Sequence, residues 1–346
     1  MKQLLCYLIL LTSLSTYAAS TPQSLLIFSA TDTEAIQPII DAFTHRNPNI
    51  KIRYQEFQTT DLYNTITALP KELMPDLVIS SAMDLQIRLV NDGYAQKFSS
   101  SNTASLPSWA NWRDEAFGFT YEPVVMVYNK AAFHNKQIPN THEALAAALR
   151  TDEKFYKNSV GTYDIRTSGV GYLFAAQDEI NSSINGRLKE SLGRAMTRVY
   201  CCTSYILDAI ADGALVLGYN LLGSYALDRA RHDNRIGVIM PEDYTLVMSR
   251  VAFVTKDAHN PETAFAFLDF LLSREGQEII SHKSGLIAID PSISGDFSLS
   301  GVQNGKPLKF LPIKLGPALM VYLDQLKRRR FLTEWSNALL YDLTVP

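Results

Sequence analysis

Three short hydroxyl-bearing runs carry most of the chemistry this sequence offers: Ser29-Ala30-Thr31, Ser80-Ser81 and Thr167-Ser168-Gly169. The first two follow short apolar stretches, and the first and third precede apolar residues at helical spacing. A strand-to-helix turn of this kind aims hydroxyls and unpaired backbone N–H groups at one point, and the helix dipole makes that point favourable for an anion. Capping competes with this reading, because Ser and Thr are favoured at helix starts whether or not a ligand binds. Two arginines are candidates for added charge: Arg166, directly before the third turn, and Arg250, inside the apolar stretch 244–254. A guanidinium fork matches a carboxylate or phosphate, yet an arginine in an apolar strand serves equally as a structural ion-pair partner. Glu122, beside Tyr121, is placed to touch a ligand from the floor of a cleft, or simply to pack there.

The elements needed to position these residues are legible in outline. Leu25–Phe28 is a short apolar run, followed by Ile36, Ile39, Ile40 and Phe43 on one helical face. A period-2 strand follows at 50–57, a helix from Asp61, a buried strand at 75–80 and a helix at 83–90. This βαβα order predicts a parallel sheet, with ligands beyond the carboxyl ends of its strands. Ser29–Thr31 and Ser80-Ser81 are two such ends. The extended segment 118–129 contains Pro123, poorly tolerated in a central strand, and reads as a connection between two lobes. A second return through 237–254 completes a cleft with hinges near 121–123 and 241–246. The expected organisation is a signal peptide at 1–19, a first lobe of 20–120 with 247–346, and a second lobe of 121–246. Near the carboxyl end, a helix from Pro317 to about Leu340 carries Lys327-Arg328-Arg329-Arg330. That run is either a solvated helix face or a docking surface for an acidic or membrane partner.

Composition narrows the class. The formal charge of −3 leaves no footprint for nucleic acid. Lys2, an apolar stretch from Leu4 to about Leu14, and small residues at Ala18, Ala19 and Ser20 form a secretion signal. No apolar run reaches the roughly 20 residues that span a bilayer. The chain is therefore expected outside the cytoplasm and not inserted in a membrane. Beyond the signal only Cys201 and Cys202 remain; adjacent cysteines form either two buried thiols or a vicinal disulfide. The six histidines are scattered singles, and no G-x-S-x-G, S-x-x-K or H-E-x-x-H occurs, so neither a metal nor a cofactor is expected; a periplasmic hydrolase using the same anion cradle, though without a visible nucleophile–base pair, is the alternative of another class.

Several stretches resemble extracellular solute-binding proteins of ABC importers, in the two-lobed group of ferric-iron, phosphonate and phosphoglycerate binders. They are Phe43-Thr-His-Arg-Asn-Pro-Asn-Ile, Asp76-Leu-Val-Ile-Ser-Ser, Val127-Tyr-Asn-Lys, Gly218-Tyr-Asn and Ala264-Phe-Ala-Phe-Leu-Asp-Phe-Leu-Leu-Ser-Arg-Glu-Gly-Gln. The resemblance implies an α/β, two-lobed type II periplasmic binding protein, not an enzyme. It would act as a monomer and pass a small anionic ligand to an ABC permease, in the periplasm rather than at a Gram-positive surface, where relatives carry a lipid-attachment cysteine that this sequence lacks. Gly161-Thr-Tyr-Asp-Ile-Arg-Thr-Ser-Gly-Val-Gly-Tyr, Arg198-Val-Tyr-Cys-Cys-Thr-Ser and Leu326-Lys-Arg-Arg-Arg-Phe-Leu are similar to the phosphoglycerate transport regulatory members, which implies signalling to a membrane sensor kinase. Asn220 and Tyr225 stand where ferric binders of the group place adjacent iron-ligating tyrosines. Here Tyr219 and Tyr225 stand apart, which disfavours iron as the ligand and leaves a ferric-iron-binding protein as the alternative to an anion binder.

Overall fold

The computed structural model describes residues 23–303 and 308–340; the expected signal peptide lies outside them. The chain builds two sheets. The first contains β1 (Gln23–Ser29), β2 (Ile50–Glu56), β3 (Leu77–Ser80), β4 (Asn111–Trp112), β5 (Ala116–Gly118) and β12 (Val251–Val254), in the order β2-β1-β3-β12-β5-β4. The second runs β13-β11-β6-β9-β7-β8, from β6 (Glu122–Asn129), β7 (Val160–Tyr163), β8 (Arg198–Tyr200), β9 (Leu217–Leu222), β11 (Thr245–Met248) and β13 (Phe310–Pro312). A further strand, β10 (Ile236–Ile239), pairs with β6. This is the two-lobed α/β architecture that the strand–helix alternation predicted.

Local sequence explains the parts that frame the cleft. In β1, Leu25 and Ile27 are buried, and the strand pairs in parallel with β2 and β3. Parallel neighbours need covered crossovers, and helix Thr33–Arg46 supplies one by burying Ile36, Ile39, Ile40 and Phe43 against helices 261–272 and 274–283. Asp76 ties this layer together, accepting from Leu26 N at 2.8 Å and from Asn260 N at 2.7 Å.

Two crossings between the sheets lie side by side, at 119–121 and at Ser249-Arg250. Phe119 N donates to Arg250 O (3.0 Å), Arg250 N to Thr120 Oγ1 (2.9 Å) and Thr120 N to Ser249 Oγ (3.2 Å). The second crossing is displaced from the expected 241–246, because Thr245–Met248 pairs with β6 and β13 in the second sheet. Pro123 is also not in a mere connection: it is the second residue of β6, between β11 and β9. Its place near the strand start is where a missing donor costs the ladder least.

The carboxyl-terminal segment differs from the expected division as well. Residues 308–340 add β13 to the second sheet and then cross the cleft. The turn Pro317–Leu323 lies against helix Met83–Asn91 of the first lobe, while helix Gln325–Leu339 packs on helix Asn185–Arg194 of the second. Phe331, Trp335 and Leu339 anchor it in the second lobe's core, each burial stabilising by about 1.5–3 kcal/mol. The contact is close at Gly193, where a Cβ would sit 1.7 Å from Ala338 O. Gly193→Ala should therefore lower stability by about 1–3 kcal/mol in chemical denaturation, although alanine is the better helix former by about 1 kcal/mol. An unchanged or raised midpoint would show that the two helices are not in this contact.

Candidate functional site

Between the lobes lies a cavity of about 190 Å³, room for about six water molecules by liquid volume. Its walls are strand ends and helix starts. Five helices begin on it: Thr33–Arg46, Thr59–Ala68, Gly169–Asn181, Thr203–Ala211 and Gly223–His232. Their N-cap residues Asp32, Gln58, Ser168, Cys202 and Leu222 all line it. Only Ser168 caps its own helix through its side chain, accepting from Gly171 N at 3.2 Å; the other four make no side-chain cap bond. Several sets of first-turn N–H groups and several positive dipole ends thus point at one small volume. Hydroxyls of Ser81, Thr203 and Ser204 add donors on the same wall.

Two carboxylates temper this field. Glu56 Oε2 accepts from Thr33 N and Thr33 Oγ1, both at 2.7 Å, and so closes the start of helix Thr33–Arg46. Burial pushes the Asp32 carboxyl above its ordinary range, with Arg250 pulling the other way. Asp32 N donates to Tyr225 Oη at 3.2 Å, joining the first lobe to the second. A second junction is Gly169 N to Thr59 Oγ1, at 2.9 Å. Gly169 is tightly enclosed here: a Cβ would meet Leu85 Cδ1 and Thr59 Oγ1 at 3.0 Å, so those side chains would have to give way. The lobes are drawn together at both points.

Behind Tyr225 sits a fully buried ion pair. Arg250 Nε donates to Glu122 Oε1 at 3.0 Å, and Nη1 to Thr31 Oγ1 at 3.0 Å, with both charged side chains at 0% exposure. The guanidinium lies 4.8 Å from the centre of the Tyr225 ring. Arg250 Nη2 and Glu122 Oε2 have no hydrogen-bond partner among the described residues.

Of the residues singled out from sequence, Ala30, Ser81, Ser168 and Tyr225 line the cavity. Ser29, Thr31 and Ser80 are buried behind it and shape the turns, with Ser29 Oγ accepting from Thr31 N and Ser80 Oγ from Ala82 N. Glu122 and Arg250 form the pair beneath, and Gly169 is a lobe contact. Arg166 and Thr167 point elsewhere: both are exposed, and Arg166 is held in a fork by Asp164 at 2.8 and 2.6 Å. Asn220 turns inward in the left-handed region (φ 60°), donating to Asp178 Oδ2 at 2.6 Å. Tyr219 donates to that same oxygen, so the Tyr219-Asn220 position is committed to a buried carboxylate. Sequence reasoning missed Gln58-Thr59 and Cys202-Thr203-Ser204. The second follows the same rule as Ser29–Thr31, a polar turn before the helical apolar set Ile206, Leu207 and Ile210.

A larger groove, about 680 Å³, opens on the far side of the Thr59–Gly169 contact, lined by helix flanks and by Arg328 and Arg329 of the carboxyl-terminal helix. Asp84 lies in its wall with Oδ1 unpartnered, its carboxyl pushed by burial up to about 7. Among the described residues no helix is long and apolar enough to cross a membrane, and no group of three or more His, Cys, Asp or Glu is arranged to hold a metal ion.

The sequence profile of bacterial extracellular solute-binding proteins matches residues 25–286. The substrate-binding protein of an ABC transporter from Agrobacterium tumefaciens superimposes with a TM-score of 0.86 at 37% identity, over 93% of this chain and 96% of that one. The chain therefore belongs to the bacterial extracellular solute-binding protein family. Two more distant structures share the fold. One is AfuA from Actinobacillus pleuropneumoniae with fructose-6-phosphate bound (TM-score 0.76, 15% identity, 92% of this chain and 99% of that). The other is iron-bound HitA from Pseudomonas aeruginosa (0.69, 19%, 92% and 99%). No curated protein sequence matches the chain.

The buried pair gives this subsection its test. Arg250→Met leaves Glu122 buried without its cation and should cost about 3–5 kcal/mol in denaturant unfolding. The double variant Arg250→Met/Glu122→Leu should recover most of that loss. A double variant as unstable as the single would show that the charges are not coupled.

Proposed function

We propose that this protein captures a small organic anion, of the size of a phosphorylated three-carbon acid, in the cavity between its lobes and passes it to an ABC permease from the periplasm. The observation that carries this reading is the convergence of five helix starts on about 190 Å³, three of them, at Thr59, Thr203 and Gly223, without a side-chain cap. Backbone N–H groups there can take up phosphate or carboxylate oxygens with no lysine or arginine in the wall among the described residues. The ligand would touch both lobes, as closure requires: a solute stabilises the closed form only by the contacts it gains there.

Two likenesses support the anionic solute. Its sequence resembles the phosphoglycerate transport regulatory members of the family, and AfuA, with the same fold, holds a sugar phosphate. Ferric iron fits less well, because Tyr219 is hydrogen-bonded to Asp178 and Tyr225 spans to Asp32 N. A sensing role, with a membrane sensor kinase as the receiver, is supported by the carboxyl-terminal helix. There Leu326 is 75% exposed beside the basic run 327–330.

The test is calorimetric titration of the monomeric mature protein with 3-phosphoglycerate, glycerate, inorganic phosphate and ferric citrate. 3-Phosphoglycerate should bind most tightly, and more tightly as pH falls through the raised Asp32 titration, because protonation removes a negative charge from the wall. Ser204→Glu should weaken binding by about 100-fold or more, while a carboxylate in the first helical turn supports the fold by about 0.3–1 kcal/mol. Undiminished affinity in Ser204→Glu, or binding of ferric citrate alone, would overturn the assignment.

A further inference from the structure

Cys201 and Cys202 form a vicinal disulfide in the wall of the same cavity. We propose that this pair is a thiol–disulfide exchange site, taking a reduced protein dithiol as its partner, and that its redox state sets the protein's affinity for the anion. The second half rests on the anion reading above; the first half stands without it.

Three features of its position carry the proposal. Cys201 is exposed and follows β8, the edge strand of the second sheet, so an incoming thiolate can reach its sulfur. Cys202 is less exposed and is the N-cap of helix Thr203–Ala211, its own side chain making no cap bond to the helix. Across the cleft, Cys202 Sγ lies 3.6 Å from Gln58 Oε1 of the first lobe, so the ring forms part of the closed contact.

The exchange has a defined direction. The attacking thiolate forms a bond to Cys201 Sγ; the Cys201–Cys202 bond breaks, and its electron pair leaves on Cys202 as a thiolate. A better-stabilised leaving thiolate departs faster, and the N-terminus of a helix stabilises this one. The partner's second thiol then attacks the mixed disulfide, takes the bond to itself as the oxidised partner, and frees Cys201, which picks up a proton. Two electrons pass to this protein and one disulfide is made in the partner. The consequence for the cavity is electrostatic. Oxidised, the ring is neutral and leaves the N–H groups of Thr203–Ala211 to the solute. Reduced, the Cys202 thiolate occupies those donors and repels an anion.

The experiment compares the oxidised and dithiothreitol-reduced mature protein, with each state verified by alkylation and intact mass. Alkylation should label neither cysteine before reduction and both after it, Cys202 ahead of Cys201 at pH 7. Reduced thioredoxin, used as the protein dithiol, should open the bond. Affinity for 3-phosphoglycerate should fall by about tenfold or more on reduction. Cys201→Ser/Cys202→Ser, which cannot carry a thiolate, should bind alike with and without dithiothreitol. Labelling before reduction, or a bond that thioredoxin leaves closed, would overturn the exchange site. Equal affinity in the two verified states would overturn its control of binding. If the oxidised protein binds neither 3-phosphoglycerate nor inorganic phosphate, the anion reading fails and the affinity claim falls with it. The exchange site is then judged on labelling and thioredoxin alone.

Discussion

Arg250 and Glu122 meet where the two crossing strands lie side by side, and the geometry of the cleft hangs from that contact. Arg250 lies in one crossing and Glu122 opens β6 directly after the other, so their pairing ties the strand that enters the first sheet, β12, to the strand that enters the second, β6. The same guanidinium holds Thr31 in the turn after β1 and lies against Tyr225 at the start of a second-lobe helix. One side chain thus touches both crossings and both jaws. Taking two charges out of water costs several kcal/mol per ion, and their attraction repays this only with good geometry. The pair's consequence is therefore positional more than stabilising: it is costly to break and leaves one arrangement of hinge and turns satisfied.

With that frame in place, the cavity works through backbone groups. Among the described residues its wall holds no lysine or arginine; the buried Arg250 guanidinium sits behind Tyr225. Helix starts supply the positive field, and their donors are fixed by the main chain, so they need little reorganisation when a solute arrives. Closure brings the helix starts of both lobes together at Thr59–Gly169 and Asp32–Tyr225. A donor set that is complete only when the lobes meet gives a solute the differential contact that drives closing.

Much of this was legible in the chain. The β1 turn could be read because its signals are local: Leu25 and Ile27 face the core, Ile36 to Phe43 keep helical spacing, and the polar residues fall between. Arg250 could be narrowed to ligand contact or ion-pair partner, and burial decides for the pair. The second hinge was misplaced because Thr245–Val254 is a nearly continuous apolar run; only Ser249-Arg250 interrupts it, and partnering with β13 is a long-range fact. Segment 308–340 carried no sequence signal for the second lobe, since its anchors Phe331 and Trp335 pack on helices distant in the chain. Asn220 misled because its position resembles a ligating site, while its left-handed backbone and its bond to Asp178 turn it inward. The Cys202–Ser204 turn obeyed the local rule but was overshadowed by the cysteines within it.

The central claim is that helix N-termini from both lobes hold an organic anion between them. A crystal structure of the mature, oxidised protein with 3-phosphoglycerate tests it most directly. The account predicts the phosphate or carboxylate oxygens within hydrogen-bond distance of backbone N–H groups at Thr59 and Thr203-Ser204, with Tyr225 still over Arg250. An anion seated instead between Arg328 and Arg329 in the larger groove, or one touching a single lobe, would contradict it.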